Sequence, residues 1–129
     1  MRFWDSSAIL AVLLREPGFE VIVDRIATAD ALSVGAPTIT ETGIVLENRI
    51  GKGARSVIIH FMHEWKIDVI AFREDHWQEA VAVYARYGKG KHKASLNFGD
   101  CMTYAVAKLS GQPLLCTGED FRKTDLEIA

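Results

Sequence analysis

Two helical stripes, not one, separate most neighbouring pairs of short apolar runs in this chain, and that alternation limits the fold more than any other feature. The short runs are Arg2–Trp4, Leu32–Val34, Asp68–Phe72 and Pro113–Cys116, with a last candidate at Leu126–Ile128. Between them, apolar residues return at the helical spacing of i, i+3, i+4, i+7. Phe19, Ile22, Val23, Ile26 and Ala27 form one stripe, and Ile39, Gly43, Leu46 and Ile50 another. Ile58, Phe61, Met62 and Trp65 form a third, and Trp77, Ala80, Val81 and Tyr84 a fourth. Turn signals such as Pro17-Gly18, Gly51-Lys52-Gly53 and Gly111-Gln112-Pro113 punctuate them. Strands alternating with helices predict an α/β domain around a parallel sheet, because a long crossover is needed to return the chain to the same end of the sheet. The expected order is β-α-α-β-α-α-β-α-α-β-β.

A chain of 129 residues suits one domain, 1–129, and 49% hydrophobic residues supply its core. With 15 Lys+Arg against 17 Asp+Glu the net charge is -2, which argues against a uniformly basic nucleic-acid-binding surface but allows a local basic patch. No apolar run is long enough to cross a bilayer. The apolar stretch Ala8–Leu14 follows Asp5 and is not followed by a small-residue cleavage site, so a cytoplasmic protein without a membrane partner is expected. Cys101 and Cys116 form no CxxC and cannot alone make a four-ligand zinc site; they read as small buried hydrophobes. His60 and His63, at i and i+3, have no third ligand at a natural spacing.

In open parallel sheets, functional groups gather beyond the carboxyl ends of the strands. Four acids lie there. Asp5 follows the first strand in "DSSA", and Glu41 lies one turn into the helix after the second, in "TITETGIVLENRI". Asp100 opens the helix leading to the fourth strand, in "NFGDC", and Asp120 follows that strand. Each has a structural account by itself, as a helix cap, a partner of the helix dipole or a loop acid. Together they would repel one another without a counter-charge, and an oxygen-only set suits Mg²⁺ or Mn²⁺ rather than zinc.

The segments "DSSAILAVLLREPG", "SVGAPTITETGIVLENRIG", "ARYGKGKHKASLNFGDCMTYAVAK" and "PLLCTGEDFRKTDL" cover nearly the whole chain. In them it resembles the PIN-domain ribonucleases, and within these the VapC toxins of bacterial toxin–antitoxin pairs. The resemblance implies a five-stranded parallel sheet in an α/β/α sandwich with paired crossover helices. It maps the catalytic acids onto Asp5, Glu41, Asp100 and Asp120, the last because it directly precedes Phe121. Asp5 and Asp100 are the principal expected metal ligands, with Glu41 and Asp120 acting directly or through water. Ser7 and Thr117 are candidates to orient those ligands with their hydroxyls. The implied activity is Mg²⁺- or Mn²⁺-dependent cleavage of single-stranded RNA. The implied partners are a VapB-type antitoxin that occupies the acidic site and a second copy of the chain. The segment "RYGKGKHKA" is expected to be mobile at Gly88 and Gly90, and to hold RNA phosphates with Arg86, Lys89, Lys91, His92 and Lys93. Two other readings compete. One is a PIN-fold module that binds RNA or a partner without cleaving. The other is a phosphoacceptor signalling domain, which the third run, ending "IAFRED", and the lack of a suitably placed Lys disfavour.

Overall fold

The computed structural model describes residues 1–129. The elements run β1 (Arg2–Trp4), α1 (Ser6–Leu13), α2 (Phe19–Ala27), β2 (Leu32–Gly35), α3 (Ala36–Ile50), α4 (Ala54–Glu64), β3 (Ile67–Ile70), α5 (Glu74–Tyr87), α6 (Phe98–Ser110) and β4 (Leu114–Leu115). A short 3₁₀ turn follows at Phe121–Lys123. The strands form one parallel sheet in the order β3-β2-β1-β4. Each crossover carries two helices, as the doubled stripes predict. No helix is long and apolar enough to cross a membrane.

Strand periodicity divides the core. Phe3 pairs with Leu114 and Trp4 with Leu115. Because side chains alternate across a sheet, Phe3 and Leu114 join one apolar cluster with Val83, Leu96, Tyr104 and Val106 from α5, α6 and their connection. Trp4 and Leu115 join the other, with Ile9, Ile22, Ile26, Val34 and Phe61. Burying each such aliphatic side chain stabilises the fold by about 1.5–3 kcal/mol. Thus α5 and α6 cover one face while α1, α2 and α4 contribute to the core on the other. Gly35 permits the close fit of α6 on β2, since a Cβ there would lie 3.1 Å from Val106 Cγ2.

Several expected boundaries differ. The sheet has four strands, and the fifth candidate at Leu126–Ile128 forms only an isolated parallel bridge between Leu114 and Ile128. Tertiary bonds hold that tail instead: Tyr104 Oη donates to Asp125 and accepts from Arg86 Nη2 at 2.9 Å, and Lys108 Nζ donates to Asp125 at 3.1 Å. The third strand is Ile67–Ile70, not Asp68–Phe72. Phe72 leaves the sheet to stack on His76, whose Nδ1 accepts from the Arg73 N–H at 2.9 Å and caps α5. The second strand gains Gly35, which pairs with Ile70. The fourth shrinks to Leu114–Leu115, and Pro113 has no N–H to give to the ladder. The basic segment is a closed loop, not a loose one: Leu96 N–H donates to Tyr87 O at 3.0 Å and Lys89 N–H donates to Leu96 O at 2.9 Å.

Candidate active site

The strand order reverses beside β1: two crossovers step one way to β2 and β3, and the third jumps to β4 on the opposite side. The carboxyl ends of β1 and β4 therefore bound a crevice, where such sheets place their functional groups. Asp5 leaves β1 at that point, its N–H donating to Leu115 O at 2.9 Å. Its Oδ2 accepts from Ser7 N–H at 3.1 Å and from Ser7 Oγ at 2.6 Å, capping α1. Ser7 Oγ accepts in turn from Thr117 N–H at 3.0 Å, so one hydroxyl ties the loop after β4 to Asp5. Thr117 reaches this network through its main chain and not, as expected, through its hydroxyl.

Asp100 is the third residue of α6. Its N–H donates to Asn97 Oδ1 at 2.9 Å, and its Oδ2 accepts from Asn97 N–H at 3.1 Å. This reciprocal cap satisfies two N–H groups at the helix start. In Asp5 and Asp100, capping and a place in the acidic cluster coincide: the cap fixes the carboxylate through Oδ2. Glu41, half-buried on α3, accepts from Ser6 Oγ at 3.2 Å. On α6 it faces Gly99, where a Cβ would fall 2.8 Å from its Oε2. Asp120 is exposed in the loop after β4.

Burial and mutual repulsion set the electrostatics. Asp5 is 5% exposed, and burial raises its pKa against the lowering effect of hydrogen bonds from Ser7, Ser6 and Thr103. Burial pushes Asp100 from 3.8 to about 6; its bond from Asn97 opposes the shift, and the charges of Asp5, Glu41 and Asp120 add to it. Asp100 therefore feels the charge of each of the other three acids. No Lys or Arg forms an ion pair with any of them. Nor do three His, Cys, Asp or Glu groups already stand in ion-binding geometry. The donor set itself, oxygen-only, with Asp100 opposed by its three acidic neighbours and no ion pair to Lys or Arg, fits a hard divalent ion that would draw the carboxylates together. A surface depression of about 570 Å³ at the start of α5, lined by Arg73, Glu74, Asp75, Gln78 and Glu79, contains no buried group.

The shift on Asp100 has a stability consequence. Its folded pKa exceeds the ordinary value, so the metal-free folded chain holds this proton more tightly than the unfolded chain. Stability from this group is greatest below pH 3.8 and is lost as pH rises through about 6. Asp100→Asn keeps an oxygen for the Asn97 cap and removes the charge. After discounting for the half-open mouth and for screening, it should stabilise the metal-free protein by roughly 1 kcal/mol at pH 7.5. Thermal melts in chelator should show a Tm about 3–5 °C higher at pH 7.5, with the difference fading towards pH 4. An equal difference at both pH values would contradict this origin.

Other candidates are placed differently. Arg86 is held by Tyr104 and Asp125. Lys89 lines a cleft beside Phe98, and Lys91 Nζ lies 5.9 Å from the Tyr84 ring centroid. His92 turns inward, its Nδ1 accepting from Ala94 N–H at 3.0 Å and its ring edge-on to Tyr87. Lys93 is exposed. His60 lies 3.5 Å from Glu64 on the surface of α4. Cys101 and Cys116 are buried, which pushes both thiols up to about 11. Sequence reasoning missed Ser6, Asn97, Gly99 and Thr103. Thr103, three residues after Asp100 on the same helix face, carried a spacing signal; Gly99 carried none without its neighbour Glu41.

Residues 2–127 match the model of the PIN domain. The chain is 43% identical over 125 residues to Ribonuclease VapC36 of Mycobacterium tuberculosis, covering 96% of this chain and 90% of the relative. It is 40% identical over 122 residues to a Ribonuclease VapC of Mycolicibacterium smegmatis, covering 95% of each. Among solved structures, Mycobacterium tuberculosis VapC20, a sarcin–ricin-loop-cleaving toxin, superposes with a TM-score of 0.79 at 17% identity over 100% of this chain and 98% of that one. VapBC2 of Rickettsia felis, bound to a promoter DNA fragment, superposes with a TM-score of 0.78 at 10% identity over 99% of this chain and 96% of that one.

Proposed function

The chain belongs to the PIN-domain family, among the VapC ribonucleases, and on that basis we propose that it is the toxic endoribonuclease of a toxin–antitoxin pair, cutting single-stranded RNA with Mg²⁺ or Mn²⁺. The observation that carries the reading is the meeting of acid-bearing segments at the sheet's switch point: Glu41 lies against Ser6, next to Asp5, and against Gly99, next to Asp100, while Thr117 ties the loop that carries Asp120 to Ser7, and no Lys or Arg pairs with these acids. Asp5 and Asp100 would hold the ion, with Glu41 and Asp120 ligating directly or through water. When bound, such an ion supplies Lewis-acid polarisation of the phosphodiester and a more acidic water. The chain's own residues contribute position. Ser7 aims Asp5, Asn97 aims Asp100, and Ser6 holds Glu41. Water adds at phosphorus and the ribose 3′ oxygen leaves with a proton, giving a 5′-phosphate and a 3′-hydroxyl.

The same charge suits a protein inhibitor. An Arg from an antitoxin can occupy the acid cluster, since its planar fork binds carboxylates in pairs. An apolar groove between α3 and α6 runs on from Glu41, with Ile44, Val45 and Met102 in its wall, and suits the flanking side chains of such a segment. A homodimer formed through helices completes the proposed assembly.

One assay tests the reading. Partner-free protein incubated with single-stranded RNA should cleave it with Mg²⁺ or Mn²⁺, leave 5′-phosphates, and stop in chelator. With the antitoxin present, cleavage should be inhibited and should recover as the ion concentration rises. Cleavage undiminished by chelator, or none with either ion, overturns the proposal.

A further inference from the structure

Phe98 begins α6 two residues before Asp100, and the residue is 79% exposed. It belongs to none of the apolar core clusters. Folding therefore gives no reason for a large aromatic group at this point, beside the carboxylates. The ring borders a mainly apolar cleft of about 460 Å³ between α5 and α6, shared with Val81, Tyr84, Met102 and Lys89. Val81 is 63% and Tyr84 41% exposed, so apolar and aromatic surface lines an open wall. Lys89 is the cationic residue of that lining. The main-chain bond from Lys89 N–H to Leu96 O anchors its backbone one residue from the cap of α6. Lys91, beside the Tyr84 ring, adds a second positive charge at the rim.

A ring, a cation on an anchored stretch of backbone and an adjoining phosphate-cleaving centre make a nucleotide-shaped combination. Single-stranded RNA offers unstacked bases to aromatic side chains and phosphates to lysines. The charge is complementary: the rim lysines attract the backbone that the acids, without an ion, would repel. We propose that Phe98 is a positioning residue on which the substrate stacks a base next to the scissile phosphate, while Lys89 holds an adjoining phosphate. This subsite inference rests on the ribonuclease reading above.

The test uses the full chain and a short fluorescein-labelled single-stranded RNA, with binding followed by anisotropy in chelator and cleavage followed with the ion added. Phe98→Ala should weaken binding about tenfold and raise KM more than it lowers kcat. Phe98→Tyr and Phe98→Trp should restore binding, whereas Phe98→Leu, of similar bulk, should not. An RNA with an abasic nucleotide at the stacked position should bind wild type and Phe98→Ala equally. Lys89→Ala should weaken binding and reduce the slope of log K against log salt by about one. The exposed position makes misfolding of these variants an ordinary check by circular dichroism. Wild-type affinity in Phe98→Ala or Phe98→Leu overturns the stacking platform. So does altered self-association by light scattering in Phe98→Ala with RNA affinity intact, which would make the patch a protein interface. Wild-type protein that neither binds nor cleaves RNA overturns the ribonuclease reading and this inference with it; cleavage that ignores Phe98 overturns this inference alone.

Discussion

Asp100→Asn is expected to lower metal-dependent RNA cleavage by roughly a thousandfold while leaving a folded protein. The substitution is nearly isosteric. The amide oxygen still accepts the Asn97 N–H, so the cap of α6 survives. What disappears is the charge that Asp5, Glu41 and Asp120 oppose and that a divalent ion needs. Asp5→Asn should lose as much activity, but its fold is less safe. Asp5 is buried with its Oδ2 between the N–H and hydroxyl of Ser7, and an amide there brings two donors that need partners. The Asp100 variant is therefore the cleaner probe. Steady-state cleavage of RNA by partner-free protein, with Tm measured alongside, decides the matter. Activity within about tenfold of wild type, against the 10²–10³ typical of lost transition-state charge stabilisation, would remove Asp100 from the catalytic set.

Gly99→Ala is expected to yield an equally stable or more stable protein with about a hundredfold lower kcat. Gly99 lies in the first turn of α6, and its φ is not in the left-handed region. Alanine there should favour the helix by up to ~1 kcal/mol. Yet its Cβ would stand 2.8 Å from Glu41 Oε2, too close to coexist. Glu41 is flexible enough to swing aside, so the backbone absorbs little of the clash. Its carboxylate would move away from Ser6 and out of the cluster. Glu41→Gln tests the same link from the other side, and the two losses should not add, because both act through one carboxylate. Additive losses, or kcat in Gly99→Ala within about threefold of wild type, would show that Glu41 tolerates the shift that positioning arguments forbid.

Local periodicity made the paired crossovers legible. Stripes such as Phe19, Ile22, Val23 and Ile26 repeat at 3.6 residues whatever they pack against. Strand ends were less legible, because neighbours elsewhere set them: Phe72 left the third strand for His76, and Tyr104 with Lys108 held the tail at Asp125 instead of a full fifth strand. The basic loop misled in the same way. Gly88 and Gly90 suggest mobility, but the bonds between Tyr87, Lys89 and Leu96 close it.

The amino-acid order by itself determined the α/β class, the parallel sheet and the four acids at strand or helix mouths, because each follows from spacing along a few turns of chain. Tertiary structure alone decided which of those acids interact and how. The order β3-β2-β1-β4 sets the ends of β1 and β4 side by side, so that Asp5 and the loop that carries Asp120, tied at Thr117 to Ser7, meet from opposite ends of the chain. The packing of α3 against α6 sets Glu41 on Gly99, and burial lifts Asp100 to about 6. The physical reason is range: backbone period and capping act within a few residues, whereas desolvation, charge repulsion and steric contact depend on distance in space and exist only once the sheet has assembled.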